Sequence, residues 1–267
     1  MSAPHVVARL RAAGCVWAED EARLLEEAAT SAEELEALLS RRVDGEPLET
    51  VLGWAGFLGR RLVVAPGVFV PRRRTELLAR TTLDHLDHLD RRDPGVAGGP
   101  PVVVEMCCGV APVAACLEGG GAQVHAADVS RAALDCARAN APSAGLHLGD
   151  LYDALPPGLH GRVDVLAANA PYVPTDRIAD MPPEARDHEP RVALDGGADG
   201  VDLHRRLARD AVGWLAPGGV LLVETSPAQA PLTAAAMAGA GLDPHVVADP
   251  EVGGCVAVGV RPATVSR

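Results

Sequence analysis

The chain has 267 residues, of which 48% are apolar and 22% charged, so it can bury a full core and is not a disordered polypeptide. Its formal net charge of −12 makes nucleic acid an unexpected direct partner, because phosphates carry the same sign. It contains no run of the roughly 18 to 20 uncharged apolar residues that a membrane span needs, and no N-terminal signal core. We therefore expect a cytoplasmic protein without a membrane partner.

The first forty residues predict a small helical unit. Apolar residues recur at helical spacing in three short stretches, and Ser31 and Glu34 are spaced like a capping box at the start of the third. Short amphipathic helices of this kind are not stable alone, so they must pack against one another. We predict a helical cap domain over residues 1–45.

A hairpin is predicted after the cap. Two β-type runs, 57–64 and 68–70, lie on either side of residues 65–67, whose Pro-Gly pair is typical of a turn. This pattern predicts a β-hairpin linker over residues 46–71. Helical spacing resumes at residues 75–89.

The rest of the chain alternates strands and helices. The predicted strands are 102–104, 123–127, 145–148, 163–168, 220–223, 244–248 and 254–260, and the predicted helices between them are 112–117, 131–140 and 201–215. Apolar strands separated by helices predict a parallel sheet covered on both faces, and the two closely spaced final strands predict an antiparallel edge. We predict an α/β, Rossmann-like domain over residues 72–267.

Acidic residues end three of the predicted parallel strands: Glu105, Asp128 and Asp150. Ligands of open parallel sheets bind at these strand ends. Asp128 lies about 20 residues beyond the first loop, where a carboxylate can bind a ribose diol. Asp150 and the backbone amide of Leu151 can meet the edge of an adenine. The alternative is that such acids only cap helices, as Asp128 could before Ser130.

The same loops indicate which adenine-containing ligand fits. A dinucleotide or ATP needs a positive, glycine-rich loop for its phosphates, but these strand ends are acidic and the first loop lacks Lys and Arg. A cationic, phosphate-free ligand such as S-adenosylmethionine fits better. The predicted cofactor contacts are Glu105, Cys107, Gly109, Asp128, Val129, Asp150, Leu151 and Asn169.

A second candidate site follows the strand 163–168, in the tetrapeptide Asn169-Ala170-Pro171-Tyr172. This strand ending supplies an amide, a free backbone carbonyl and a flat ring at one place. We expect it to hold a planar amide substrate. The alternative is a plain strand exit in which Pro171 ends the strand and Tyr172 fills a gap in the core.

From about Glu46 to its end, the chain resembles the protein-(glutamine) N5-methyltransferases that modify peptide release factors. The matching segments are Glu46-Pro47-Leu48, Phe57 with Gly59-Arg60, Val70-Pro71-Arg72 with Thr75-Glu76, Gly149-Asp150-Leu151-Tyr152, Asn169-Ala170-Pro171-Tyr172-Val173-Pro174, Glu189-Pro190-Arg191, Leu194-Asp195-Gly196-Gly197 and Pro217-Gly218-Gly219. The family tetrapeptide reads Asn-Pro-Pro-Tyr and defines methylation of an amide or exocyclic amine nitrogen. The resemblance implies a class I S-adenosylmethionine-dependent methyltransferase acting on a protein glutamine, such as that of a release factor.

The resemblance also implies roles for the tetrapeptide. Asn169 Oδ1 and the Ala170 carbonyl would accept the two N–H bonds of the substrate amide and aim its nitrogen at the donor methyl group. Tyr172 would pack against the amide plane, and Pro171 completes the motif. Ala170 replaces the first proline of the family, which keeps the carbonyl but loosens its φ angle.

The chain departs from the family most clearly in the first glycine loop. The family pattern is Asp-x-Gly-x-Gly-x-Gly, whereas Glu105, Cys107, Gly109 and Ala111 stand at these places here. Each lost glycine adds a Cβ and can require a φ angle that its replacement disfavours. Glu224-Thr225-Ser226 replaces an acid, an apolar residue and a glycine, and Arg72-Arg73-Arg74 replaces a more acidic stretch. Two alternatives follow: a diverged enzyme for a small molecule or exocyclic amine, and a non-catalytic binding protein.

No metal site is predicted. The six cysteines include no CxxC pair and are expected to be reduced thiols, and the adjacent Cys107 and Cys108 cannot easily bind one metal together. His85 and His88 lie about one helical turn apart, which is more typical of a solvated helix face than of a metal site.

Overall fold

The computed structural model describes residues 3–90 and 99–263. The chain begins with four helices: α1 (Ala3–Ala12), α2 (Ala18–Ala28), α3 (Ala32–Val43) and α4 (Leu48–Leu52). Their apolar side chains form a cluster of their own, separate from the core of the main sheet. The predicted cap at Ser31 is confirmed, because its Oγ accepts from the backbone N–H of Glu34 at 3.1 Å. The Glu34 carboxylate accepts from the backbone N–H of Thr30 at 2.7 Å.

The β-hairpin begins earlier than predicted. Strand β1 (Trp54–Phe57) pairs antiparallel with β2 (Arg60–Val63) across the two-residue turn Leu58 and Gly59. Both turn residues have positive φ, +44° and +75°, and the tight turns that suit the twist of paired strands use such angles. The predicted turn at 65–67 is present, since the backbone N–H of Val68 donates to the Ala65 carbonyl at 3.2 Å, but it does not join the strands of the hairpin. The first β-type run contains the turn that does so. The second β-type run is not a strand.

Seven strands form the main sheet, in the order β5-β4-β3-β6-β7-β9-β8. Their bounds are β3 (Val102–Met106), β4 (Gln123–Asp128), β5 (Gly145–Leu148), β6 (Val163–Ala168), β7 (Leu215–Glu224), β8 (Asp243–Asp249) and β9 (Gly254–Val260). Strands β3 to β7 are parallel, and β9 runs antiparallel to both of its neighbours. The predicted Rossmann-like sheet with an antiparallel C-terminal edge is confirmed.

Helices pack on both faces of this sheet. They are α5 (Glu76–Asp90), α6 (Pro112–Leu117), α7 (Arg131–Asn140), α9 (Asp202–Trp214) and α10 (Ala230–Gly239), and a further short helix, α8 (Pro183–His188), lies in the connection between β6 and α9. The sequence patterns do not predict α8, which is short, or α10, whose run of alanines carries no polar face to mark a period. No helix of the described residues is long and apolar enough to cross a membrane.

The strand order reverses beside β3, and this places the two candidate sites next to each other. The chain goes from β3 to β4 and β5 on one side, then returns to β6 on the other side of β3. A crevice opens outside the carboxyl ends of the strands at such a point. Met106, the last residue of β3, pairs with Ala168, the last residue of β6. The loop that begins at Cys107 and the tetrapeptide that begins at Asn169 therefore leave the sheet side by side.

Asn140, the last residue of α7, joins the hairpin to this crevice. Its Oδ1 accepts from the backbone N–H of Val63 at 2.7 Å. Its Nδ2 donates to the carbonyls of Val63, at 3.0 Å, and Val110, at 2.9 Å. One side chain thus holds β2 and the loop after β3 at a fixed distance.

We expect Asn140→Ala to lower the free energy of unfolding by about 1–3 kcal/mol, because it removes three hydrogen bonds and leaves backbone groups without partners. Arg138→Ala, on the exposed face of the same helix, should change it by less than about 0.5 kcal/mol. Urea unfolding measures both values. Equal stability of the two variants would show that Asn140 does not hold the hairpin.

Candidate active site

One cavity of about 620 Å³ lies at the carboxyl ends of β3, β4 and β6. Every residue predicted for the cofactor and for the acceptor lines it: Glu105, Cys107, Gly109, Asp128, Val129, Asp150, Leu151, Asn169, Ala170, Pro171 and Tyr172. Cavities of several hundred Å³ are typical of sites that enclose a small organic ligand. The fold therefore brings together two sets of residues that lie far apart in the sequence.

The loop after β3 keeps left-handed backbone angles at the three positions where the family has glycine. Cys107 has φ +52°, Gly109 +54° and Ala111 +59°. Only glycine adopts these angles without strain, and a side chain there costs roughly 1–2 kcal/mol. The expectation that the replacements of glycine are strained is confirmed. The chain retains the loop's shape with Cys and Ala in place of glycine.

Glu105 binds the start of the helix that follows this loop. Its two carboxylate oxygens accept from the backbone N–H groups of Val113, at 3.1 Å, and Ala114, at 2.7 Å, in the first turn of α6. Burial raises the pKa of Glu105, and these two amides oppose the rise. Helix capping, the alternative considered for the strand-end acids, describes Glu105 well.

Asp128 connects the same loop to β4. Its Oδ2 accepts from the backbone N–H of Gly109 and its Oδ1 from that of Ser130, both at 2.8 Å. Burial raises the pKa of Asp128, and these backbone hydrogen bonds act against the shift. The carboxylate also lines the cavity, so it can both brace the loop and meet a ligand.

Asp150 is the exposed member of the three acids. Its Oδ2 accepts from Arg206 Nη2 at 2.7 Å, and Arg206, which belongs to α9, also lines the cavity. The sequence patterns give no sign of Arg206, since the two partners are 56 residues apart. Leu151, next to Asp150, has a positive φ of +47°.

Asn169 is held in one orientation at the acceptor end. Its Nδ2 donates to Thr75 Oγ1 at 3.3 Å. Thr75 is also one of the groups that lower the pKa of the buried Glu224 carboxyl. With Nδ2 bound to Thr75, the Oδ1 of Asn169 is available for a donor from a ligand.

Tyr172 is fixed through its hydroxyl. The oxygen accepts from Arg74 Nε at 2.7 Å and lies 3.4 Å from Glu224 Oε1. Burial raises the pKa of Tyr172 to about 12, so the phenol stays neutral. On the other side of the residue, Gln229 Nε2 donates to the Tyr172 carbonyl at 2.7 Å.

Glu224, at the end of β7, is the centre of this network. Its side chain is fully buried, and Arg74 Nε lies 3.2 Å from its Oε1. Burial raises the pKa of Glu224, while Thr75, Arg74 and Tyr172 lower it. The sequence patterns mark Glu224 and Arg74 only as parts of segments that depart from the family. Their pairing across 150 residues needs the folded chain to be seen.

Among residues 3–90 and 99–263, no group of three or more His, Cys, Asp or Glu side chains is arranged to hold a metal ion. Burial raises the pKa of the Cys107 and Cys108 thiols, which keeps them protonated. The cavity offers carboxylates, backbone amides and small side chains instead. It suits an organic ligand.

Sequence comparison identifies relatives. The chain is 39% identical over 188 residues to the 4-amino-L-phenylalanine/4-methylamino-L-phenylalanine methyltransferase of Streptomyces pristinaespiralis, a match that covers 69% of this chain and 62% of the relative. It is 38% identical to the release factor glutamine methyltransferase of Streptomyces coelicolor, with 72% and 67% covered. The Deinococcus radiodurans release factor glutamine methyltransferase is 35% identical, with 79% and 73% covered. The chain belongs to the release factor glutamine methyltransferase family.

The fold agrees with this membership of a family of S-adenosylmethionine-dependent methyltransferases. A methyltransferase from Pyrococcus furiosus superposes with a TM-score of 0.54 at 16% identity, over 84% of this chain and 97% of that structure. The ribosomal protein L11 methylase of Lactobacillus delbrueckii gives 0.50 at 15% identity, over 75% and 84%. These likenesses establish a class I methyltransferase fold. No protein-family model matches the chain.

Substitution of alanine by glycine at two neighbouring positions tests the backbone strain in the loop after β3. Ala111 has a left-handed φ, whereas Ala114 lies in α6. Both are buried, so both variants lose a methyl contact. Because only Ala111→Gly relieves strain, it should be more stable than Ala114→Gly by about 1–2 kcal/mol in denaturant unfolding. Equal losses would mean that the loop is not strained.

Proposed function

We propose that the chain transfers a methyl group from S-adenosylmethionine to the side-chain amide nitrogen of a glutamine in a protein. One observation carries the proposal: Thr75 accepts from Asn169 Nδ2, so Oδ1 is available, and Asn169 and Ala170 line the same cavity as the loop after β3. A release factor is the candidate protein, because several relatives are named for it. The predicted site residues keep the roles that the resemblance implies.

The donor end of the cavity fits a cation that contains an adenosine. Glu105, Asp128 and Asp150 surround it, and backbone groups of the loop at Gly109 are fixed by Asp128. S-adenosylmethionine, when bound there, supplies an electrophilic methyl group on a positively charged sulfur. The carboxylates of Asp128 and Asp150 favour that charge, and the absence of Lys and Arg from the loop after β3 disfavours a phosphate.

The acceptor end makes the amide nitrogen a usable nucleophile by orienting it. An amide lone pair is delocalised, so a strong base would gain little. Two acceptors, Asn169 Oδ1 and the Ala170 carbonyl, can each take one N–H bond of the substrate amide and direct its nitrogen at the methyl carbon. Tyr172 packs beside the amide plane and excludes water. Its neutral hydroxyl, held by Arg74 and Glu224, takes no part in proton transfer.

The experiment is incubation of the protein with isotopically labelled S-adenosylmethionine and purified release factors, followed by tandem mass spectrometry. The expected product carries one labelled methyl group on a glutamine side chain. Calorimetric titration with the donor accompanies it, because a chain that binds no S-adenosylmethionine at millimolar concentration would be a non-catalytic protein. Transfer to another residue type would contradict the proposal.

A second candidate is the aromatic amine of a small amino acid. It is favoured by the 39% identity to the enzyme named for 4-amino-L-phenylalanine. The acceptor end also contains Phe69 and Arg72, whose guanidinium lies 5.1 Å from the Phe69 ring centre and contacts the buried Glu189 at 2.6 Å. Labelled transfer to 4-amino-L-phenylalanine, and none to a protein glutamine, would select this candidate.

Asn169→Ala should reduce methyl transfer at least about 100-fold, since one of the two acceptors that orient the amide is lost. The dissociation constant for S-adenosylmethionine should stay within about threefold, because donor binding rests mainly on the loops after β3 and β4. Ser143→Ala, an exposed side chain hydrogen-bonded to Glu118, is the control and should transfer normally. Normal transfer by Asn169→Ala would remove Asn169 from the acceptor site.

A further inference from the structure

Arg72 is a cation in the cavity that orientation of the substrate amide does not require. It lies close in the chain to the residues that bind this amide. Its carbonyl accepts from the backbone N–H of Thr75 at 3.0 Å, and Thr75 in turn accepts from Asn169 Nδ2. Arg72 is therefore placed at the acceptor end, where it can contact a part of the substrate other than the amide group.

The guanidinium of Arg72 is held in place from two sides. Its Nη2 lies 2.6 Å from Glu189 Oε1, and its central carbon lies 5.1 Å from the centre of the Phe69 ring. Glu189 is itself fixed, because its side chain is almost fully buried and its Oε1 also accepts from the backbone N–H of Val70 at 3.0 Å. A guanidinium that is restrained in this way loses little further freedom when it binds a ligand.

Most of the hydrogen-bond donors of Arg72 are unused. A guanidinium has five N–H bonds, and within the described part of the chain the ion pair with Glu189 is the only polar contact of this one. The N–H bonds of Nε and Nη1 are thus available to a ligand. The side chain is 28% exposed and lines the cavity, so a ligand in the cavity can reach it. The matching ligand group is a carbonyl or carboxylate oxygen.

We propose that Arg72 is a specificity-determining residue, which binds the main-chain carboxyl oxygen of the amino acid whose side chain is methylated. This inference rests on the function proposed above. In a protein glutamine the oxygen belongs to a backbone carbonyl, and in a free amino acid it belongs to a carboxylate. Both candidate acceptors contain this group several bonds away from the nitrogen. Asn169 and Ala170 bind the nitrogen end, and Arg72 binds the main-chain end of the same amino acid.

The contact acts on substrate binding and not on the transfer step. The main-chain oxygen keeps its bonds while the methyl group moves, so Arg72 binds it equally well in the ground state and in the transition state. Loss of such an interaction raises KM and leaves kcat unchanged. The dissociation constant for S-adenosylmethionine stays the same as well. A general loss of structure would change all three quantities.

Variants of two neighbouring arginines test the contact. Arg72→Met keeps the length of the side chain but has no N–H. It should raise KM for the acceptor at least about tenfold, the effect of one charge-assisted hydrogen bond, with kcat and the donor dissociation constant within about threefold. Arg73→Met removes the same charge from an exposed position outside the cavity and should keep the wild-type KM. An unchanged KM in Arg72→Met would overturn the proposal.

A second variant serves if Arg72→Met does not fold. Arg72→Lys can keep the ion pair with Glu189 but lacks the planar fork of N–H donors. It should fold like the wild-type protein and raise KM at least about threefold. A wild-type KM in a folded Arg72→Lys protein would overturn the proposal.

Truncated acceptors show which part of the substrate Arg72 contacts. One pair is a peptide that ends in glutamine amide and the same peptide ending in 4-aminobutanamide, which lacks the carbonyl. The other pair is 4-amino-L-phenylalanine and 4-(2-aminoethyl)aniline, which lacks the carboxylate. With wild-type protein each truncated acceptor should have a KM at least about tenfold above that of its partner. Arg72→Met should add no further increase, because both changes remove the same contact.

The outcomes separate this inference from the function on which it rests. The pair that the wild-type protein methylates identifies the source of the oxygen, a backbone carbonyl or a free carboxylate. An effect of Arg72→Met that is as large on the truncated acceptor as on its partner would overturn the role of Arg72 alone. Absence of transfer to the peptide, to the free amino acid and to a purified release factor would overturn the proposed function, and this inference with it.

Discussion

A single buried carboxylate organises the acceptor end of this protein. Glu224 ends β7 beneath the cavity and has Thr75, Arg74 and Tyr172 as neighbours. Thr75 also accepts from Asn169 Nδ2, so it links Glu224 to the side chain proposed to bind the substrate amide. Removal of this buried carboxylate would take a shared neighbour from all three side chains. The acceptor geometry therefore depends on one residue that the substrate does not touch.

At the donor end of the cavity, the loop after β3 keeps the left-handed backbone angles of the family's glycine loop. The left-handed φ angles occur at Cys107, Gly109 and Ala111, although two of these three residues are no longer glycine. Backbone strain persists only where the surroundings impose it, and here Glu105 binds the first turn of α6 while Asp128 binds Gly109. Glu105 and Asp128 thus stabilise the conformation of the loop, and both also line the cavity and can contact a ligand.

Much of the fold follows from the sequence, and the reasons for the exceptions are physical. The strands 145–148, 163–168 and 254–260 and the helices 112–117 and 131–140 are predicted with the bounds they have, because apolar runs and turn residues delimit them. The hairpin turn at Leu58 and Gly59 is missed, since a leucine at positive φ gives no turn signal.

The residues of the candidate site can also be separated into those that the sequence predicts and those that it does not. Residues that belong to local motifs are predicted and do line one cavity, whereas contacts between distant segments are not predicted. Arg206 with Asp150, Arg74 with Glu224, and Asn140 with Val110 each join residues that no local pattern relates. Their partners become neighbours only through the parallel register of the sheet and the helices packed on it.

The central claim is that one cavity holds a methyl donor and a glutamine amide in line. A crystal structure of the protein with S-adenosylhomocysteine and a glutamine-containing release-factor peptide tests it most directly. We predict the adenosine beside Asp128 and the glutamine nitrogen within hydrogen-bond distance of both Asn169 Oδ1 and the Ala170 carbonyl. A glutamine side chain bound elsewhere, with those two acceptors facing water, would contradict it.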